Sequence, residues 1–213
     1  MHQYLSHLPF ITPILQFEIG IESIAGMPNG VDVEIIGQND VVYIVMPLYR
    51  GLNELIYGDS DRCDITESVS SLSDVQKHKY MVQVLEALVE LHNIGVIHMD
   101  IKPDNLLVDD EDNIKLIDFD CSLIVKGFEN KPRKLVGTLE YLPPERETLL
   151  FGIPTTSAEI YSAGITFIEI ITGFTVRSAK NCGKYTELID WMICEDADSR
   201  PSAENCLLLI KSL

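Results

Sequence analysis

From Val96 to Asp120 the chain reads VIHMDIKPDNLLVDDEDNIKLIDFD, and its apolar residues fall in two short runs, NLLV and IKLI, separated by DDEDN. Runs this short, joined by Asp and Asn, predict two strands and a tight turn. The hairpin constrains what lies on either side of it. It holds Asp100 and Asn105 before the first strand and Asp118 after the second, on loops beside a rigid element. Two carboxylates and an amide so presented suit a hard, oxygen-liganded cation such as Mg2+, which takes a few protein oxygens and completes its shell with phosphates. Lys102 adds positive charge where negative charge would pass between oxygens. The acids of the turn itself are read as solvated.

The remaining pattern is strands first and helices later. Pro9–Phe17 and Val41–Leu48 read as strands, with glycines, Pro28 and turn signals in the connector between them. Leu52–Ile56 reads as a short helix. A long helix is predicted after Ser73, a credible N-cap, with Val75, Tyr80, Val82, Val84, Leu85, Leu88 and Leu91 as its apolar set and Gly95 as its stop. Residues 158–172 are apolar nearly all round apart from Glu159 and Glu169, which predicts a buried central helix. Two amphipathic helices follow, the last entered through Pro201 and Ser202.

At 46% hydrophobic over 213 residues the chain can bury one sizeable core. Its net charge of -17 argues against nucleic-acid binding, whose footprint is a basic face, and against docking on anionic membranes. No apolar run is long enough to span a bilayer. The five cysteines, Cys63, Cys121, Cys182, Cys194 and Cys206, form no C-x-x-C pair and read as reduced thiols of a cytoplasmic or nuclear protein. The first residues lack the basic start of a signal peptide.

H-x-D-x-K-x-x-N from His98 to Asn105, a strand pair, and then D-F at Asp118 resemble the signature of eukaryotic-type protein kinases. VVYIVMPLYRGLNELI resembles their fifth strand, hinge and first C-lobe helix; VGTLEYLPPE, AEIYSAGITFIEIITG and DADSRPSAENCLL resemble later segments of the same lobe. The resemblance implies an α+β, protein-kinase-like fold: residues 1–48 as a remnant of the N-lobe sheet, 49–213 as the mostly helical C-lobe. It implies a Ser/Thr protein kinase using ATP and Mg2+. Asp100 would orient or accept the substrate hydroxyl proton, Lys102 would steady the phosphoryl group, and Asn105 and Asp118 would hold the metal. Met46 would be the gatekeeper, Pro47 and Tyr49 would meet the adenine edge through their backbones, and Leu107 would lie under the ring. His98 and Phe119 would pack in the interior. Thr138 points to Ser/Thr specificity, Glu145 and Arg200 would form a buried structural ion pair, and Glu159 would cap the catalytic loop.

The chain departs from that pattern. No lysine precedes Lys77 and no glutamate precedes Glu18, and there is no G-x-G-x-x-G loop; Arg50 and Arg62 fall at or beyond the hinge. Loss of one preorganised donor costs ~2.7–4 kcal/mol at a transition state, so the chain alone is expected to be a weak or inactive kinase. It is read as N-terminally truncated relative to the family. A partner is expected over the uncovered face, which would include Ile14 and Val45. Met99 stands where many kinases carry an arginine that reads an activation-segment phosphate, so no ordinary phosphorylation switch is expected. Asp120 replaces the glycine of D-F-G and is expected to stiffen the loop. The basic residues Lys126, Lys131, Arg133 and Lys134 read as balancing nearby acids. The alternative is a non-catalytic, pseudokinase-like scaffold or decoy that binds a partner kinase.

Overall fold

The computed structural model describes residues 8–12, 16–20, 31–34, 41–58, 70–125, 133–134, 137–147, 151–152 and 155–213. The expectations placed on Ile14, Pro28, Arg62, Cys63, Lys126 and Lys131 lie outside these residues, as does the start of the chain.

Strands β1 (Gln16–Gly20), β2 (Val31–Glu34) and β3 (Val41–Val45) form an antiparallel sheet with β3 in the middle. Gln16 and Val31 both pair with Val45, from opposite edges. The strand expected over Pro9–Phe17 forms only in part. Pro9 and Phe10 lie in a turn, and Ile11 makes a single parallel bridge to Leu116. The Phe10 carbonyl accepts from the Leu116 N–H at 2.7 Å, which ties this segment to the later hairpin. Among the described residues ladder pairing begins at Gln16, and Pro9 has no N–H to give a ladder. The strand expected to reach Leu48 stops at Val45, short of Pro47, for the same reason.

The helical body follows: β4 (Arg50–Gly51), α1 (Leu52–Tyr57), α2 (Asp74–Asn93), β5 (Val96–Ile97), β6 (Leu106–Val108), β7 (Ile114–Leu116), β8 (Leu123–Ile124), β9 (Arg133–Lys134), α3 (Pro144–Glu147), β10 (Phe151–Gly152), α4 (Thr156–Thr172), α5 (Thr186–Met192) and α6 (Ala203–Ile210). Helix α2 begins with a capping box. Ser73 Oγ accepts the Gln76 N–H at 3.3 Å, and Gln76 Oε1 accepts the Ser73 N–H at 3.2 Å. It ends before Gly95, whose φ of 76° a side chain would resist. Tyr80, Val84, Leu85, Leu88 and Leu91 are wholly buried, each side chain contributing ~1.5–3 kcal/mol. Val75, counted in that apolar set, is instead 78% exposed, since the first turn projects beyond the core. The two-residue strands carry no periodic signal, and β5 pairing with β8 has no counterpart among the sequence expectations.

Helix α4 runs through the core with Ala158 to Ile170 all buried. Its polar side chains must therefore find partners inside the protein. Ser162 Oγ donates to the Tyr141 carbonyl at 2.9 Å, and Thr166 Oγ1 donates to the Ile101 carbonyl at 3.1 Å. The loops that carry the candidate site thus hang on a buried helix. In the β6–β7 hairpin, Leu106 pairs with Leu116 and Val108 with Ile114, all four buried, which leaves Leu107 and Lys115 on the other face. Two turn acids read as solvated are structural. Asp109, 7% exposed, accepts the Asn113 and Glu111 N–H groups at 2.8 and 3.1 Å, and Asp112 bonds Lys79 and Tyr80 of α2.

Candidate functional site

Asp100 sits in the loop between β5 and β6, buried, with both carboxylate oxygens engaged. Oδ2 lies 2.8 Å from Lys102 Nζ and accepts from Asn105 Nδ2 at 3.0 Å. Oδ1 accepts from the Thr138 N–H and from Thr138 Oγ1, each at 2.8 Å. Lys102 also donates to Thr138 Oγ1 at 2.5 Å, so the hydroxyl accepts from the ammonium and passes its own proton bond to the acid. Burial pushes the Asp100 carboxyl up, but the hydrogen bonds from Lys102 and Thr138 and the lysine charge outweigh it, leaving it below the usual carboxylate range. The group is therefore an ionised acceptor held in one orientation.

Backbone geometry makes that cluster reachable from a distant segment. Gly137 has φ 109°, and a Cβ there would meet the Met99 carbonyl at 2.7 Å. Only glycine lets the chain before Thr138 pass this close to the loop that carries Asp100. Met99, itself at φ 76°, is fixed from below: its N–H donates to Glu159 Oε1 at 2.8 Å. Glu159 Oε2 lies 2.7 Å from His92 Nε2. Burial raises the Glu159 carboxyl, but the His92 contact and the Met99 N–H outweigh it and hold the group low. Glu159 thus reaches the loop from α4, as its expected capping role requires.

Asn105 uses its amide nitrogen on Asp100, donating to the main-chain carbonyl at 2.8 Å as well as to Oδ2. Its Oδ1 is left as an oxygen donor. Its carbonyl accepts the Ile117 N–H at 3.1 Å, which ties the residue before Asp118 to the loop that carries Asp100. Asp118 is exposed, at φ 60°, and among the described residues it accepts only a 3.4 Å contact from the Asp120 N–H. The residue needing left-handed backbone is thus Asp118, not Asp120, so aspartate at 120 strains nothing in this conformation. The oxygens available from Asn105 and Asp118 fit a hard divalent cation.

His98 is fully buried, its ring edge-on to Phe119 with centroids 4.6 Å apart. Nδ1 accepts the Asp100 N–H at 3.4 Å, so the ring proton belongs on Nε2, which donates to the Ile117 carbonyl at 2.9 Å. The ring is occupied as a strut. Met46 and Pro47 lie half-buried in the unpaired segment 46–49, with Tyr49 near its end. Leu107 pairs with Gly51, which brings it beside that segment. The Tyr49 phenol is pushed up by burial and then by Asp109, Glu111 and Asp110 of the hairpin turn.

Glu145 and Arg200 meet outside this cluster, Nη1 on Oε1 and Nη2 on Oε2, each at 2.8 Å. Only half of the pair is buried: the arginine side chain is 0% exposed and the glutamate 35%. Three residues that sequence reasoning did not assign complete the surroundings. Cys121, whose thiol is raised by burial and then by Asp100 and Asp118, lies close to both acids. Arg146 is buried, with its Nε unpartnered among the described residues and Nη1 3.6 Å from Met99 Sδ. Glu169 gathers the hydroxyls of Tyr57, Tyr141 and Thr175 inside the core. Nothing local in the sequence marks these contacts; a charge inside an apolar run is the nearest signal, and only Glu169 has it.

The family profile described as protein kinase domain matches residues 32–185. The chain is 29% identical over 197 residues to the proto-oncogene serine/threonine-protein kinase mos of Sus scrofa, covering 76% of this chain and 55% of that protein. It is 33% identical over 154 residues to the L-type lectin-domain containing receptor kinase V.7 of Arabidopsis thaliana, covering 68% of this chain and 23% of that one. It is also 32% identical over 160 residues to the CBL-interacting serine/threonine-protein kinase 2 of the same plant, covering 74% and 33%. The matched regions thus span 23% to 55% of these relatives.

Proposed function

The chain belongs to the protein kinase family, and from that premise we propose that residues 98–118 carry MgATP-dependent phosphoryl transfer to serine or threonine hydroxyls of a protein substrate. The observation that carries the reading is the joint engagement of Asp100 by Lys102, Asn105 and Thr138, with Asp118 tied in through Ile117. An ionised carboxylate fixed in this way orients an incoming hydroxyl and takes its proton. Lys102 stands beside it to stabilise charge on the group in transit. ATP supplies the phosphoryl group, and Mg2+, which neutralises its charge, would be held by Asn105 and Asp118. The edge formed by residues 46–49 and Leu107 is the proposed seat of the adenine.

A second reading is a scaffold that binds another kinase without turning over, which the prior engagement of both Asp100 oxygens favours. Incubation with radiolabelled ATP, Mg2+ and a generic Ser/Thr substrate separates them. Transfer that disappears in Asp100→Asn supports catalysis. No transfer above that variant leaves the scaffold reading.

A further inference from the structure

A groove of about 430 Å³ lies on the outer side of α2, between it, the Pro9–Phe10 turn, the end of the hairpin and α6. None of its lining residues belongs to the cluster around Asp100. Its floor is apolar: Phe10 is buried, and Val89 and Leu207 are half-buried. The groups that could read an anion are already committed. Lys115 Nζ donates to the Pro9 carbonyl at 2.6 Å and lies 3.3 Å from Asp109. Gln83 spends both ends of its amide on the hairpin, giving to Asn113 Oδ1 and accepting from the Ile114 N–H, each at 2.9 Å.

What the groove offers is negative charge. Glu86 and Glu90 stand one turn apart on α2, a like-charge spacing that weakens a helix slightly. Glu86 holds Lys211 at 2.7 Å, but both side chains are about half exposed, so the pair is a weak competitor. Among the described residues the Glu90 carboxylate has no hydrogen bond or ion pair, and it is exposed. Gln83 to Glu90 spans about 10 Å of helix, the reach of about three extended residues. A carboxylate rim above an apolar floor complements aliphatic side chains interleaved with cationic ones.

We propose that this groove is a docking site for a basic, leucine-rich segment of a partner protein. The site stands apart from the phosphoryl-transfer reading, because its test is a binding measurement. The full chain is titrated into a fluorescein-labelled peptide alternating arginine and leucine, followed by anisotropy. Glu90→Lys should weaken binding by about tenfold or more, while Lys211→Ala, which releases Glu86, strengthens it about threefold. Glu187→Lys makes the same change of net charge on an exposed face of α5 and should leave affinity within about twofold. Equal loss in Glu90→Lys and Glu187→Lys would reduce the effect to bulk charge and overturn the proposal. So would equal binding of a glutamate–leucine peptide, displacement by spermine at the peptide's own concentration, or no anisotropy change up to millimolar chain.

Discussion

Thr138 closes on Asp100 through two of its own atoms, its N–H and its Oγ1 both reaching Oδ1 at 2.8 Å across 38 residues of chain. The hydroxyl also accepts from Lys102, so one side chain couples the Asp100 carboxylate to its neighbouring cation. Thr138→Val keeps the shape and the N–H bond and removes only the hydroxyl. Stability should fall by ~1.5–3 kcal/mol, the range for a hydrogen bond to a charged group. Thr138→Ser should cost clearly less in urea unfolding. A larger loss in Thr138→Ser than in Thr138→Val would assign the effect to the methyl group instead.

Asp118 is exposed and already in the left-handed region, where asparagine is as comfortable as aspartate. Asp118→Asn should leave the melting temperature without nucleotide unchanged, within about 0.5 kcal/mol. It should abolish any rise on adding MgATP. A thermal shift that persists in this variant would remove Asp118 from the metal's ligand set.

Arg146 carries a buried charge whose Nε has no partner among the described residues, and its guanidinium faces the sulfur of Met99. Burial already disfavours its charged form. Arg146→Met should therefore stabilise the fold, by ~1–3 kcal/mol if the whole penalty for an unsatisfied group is relieved. Restoring the family's arginine with Met99→Arg would set two guanidinium groups together and destabilise. The double variant should recover most of the loss. Calorimetry of the three proteins measures the coupling directly.

Arg200 is enclosed, and besides Glu145 it bonds the carbonyls of Cys194, Ser157 and Glu195. Glu145 keeps some contact with water. Removing the arginine strands more than removing the glutamate does. Arg200→Ala should cost ~3–5 kcal/mol, and Glu145→Gln well under that because solvent screens the exposed end. Urea midpoints ranked the other way would contradict this partition.

The carboxyls of Asp100, Glu145 and Glu159 all sit below their ordinary values of 3.8 and 4.5. A depressed folded pKa contributes stability that is complete above the unfolded value and is lost as pH falls through the folded one. The urea midpoint should be flat with respect to these groups from neutral pH down to about pH 5.5 and then fall steeply below about pH 4.5. Glu159→Gln should flatten that acid limb, since an amide cannot take up the proton. An unchanged slope would mean that the Glu159 carboxyl takes up its proton alike in the folded and the unfolded protein.

What the sequence determined by itself was local. Strand and turn composition placed the β6–β7 hairpin, and Ser73 with Gln76 started α2. The order of Asp100, Lys102, Asn105 and Asp118 around that hairpin carried the family resemblance. These features rest on neighbours within a few residues, where propensity and capping act. Only tertiary structure decided that Thr138 reaches Asp100, that Met99 leans on Arg146, that Lys102 shares its charge with a hydroxyl, and that α2 and α6 leave an acidic groove between them. Those contacts join residues far apart in sequence. Their partners are chosen by how buried helices pack and by the need to satisfy polar groups removed from water, and no local periodicity records that choice.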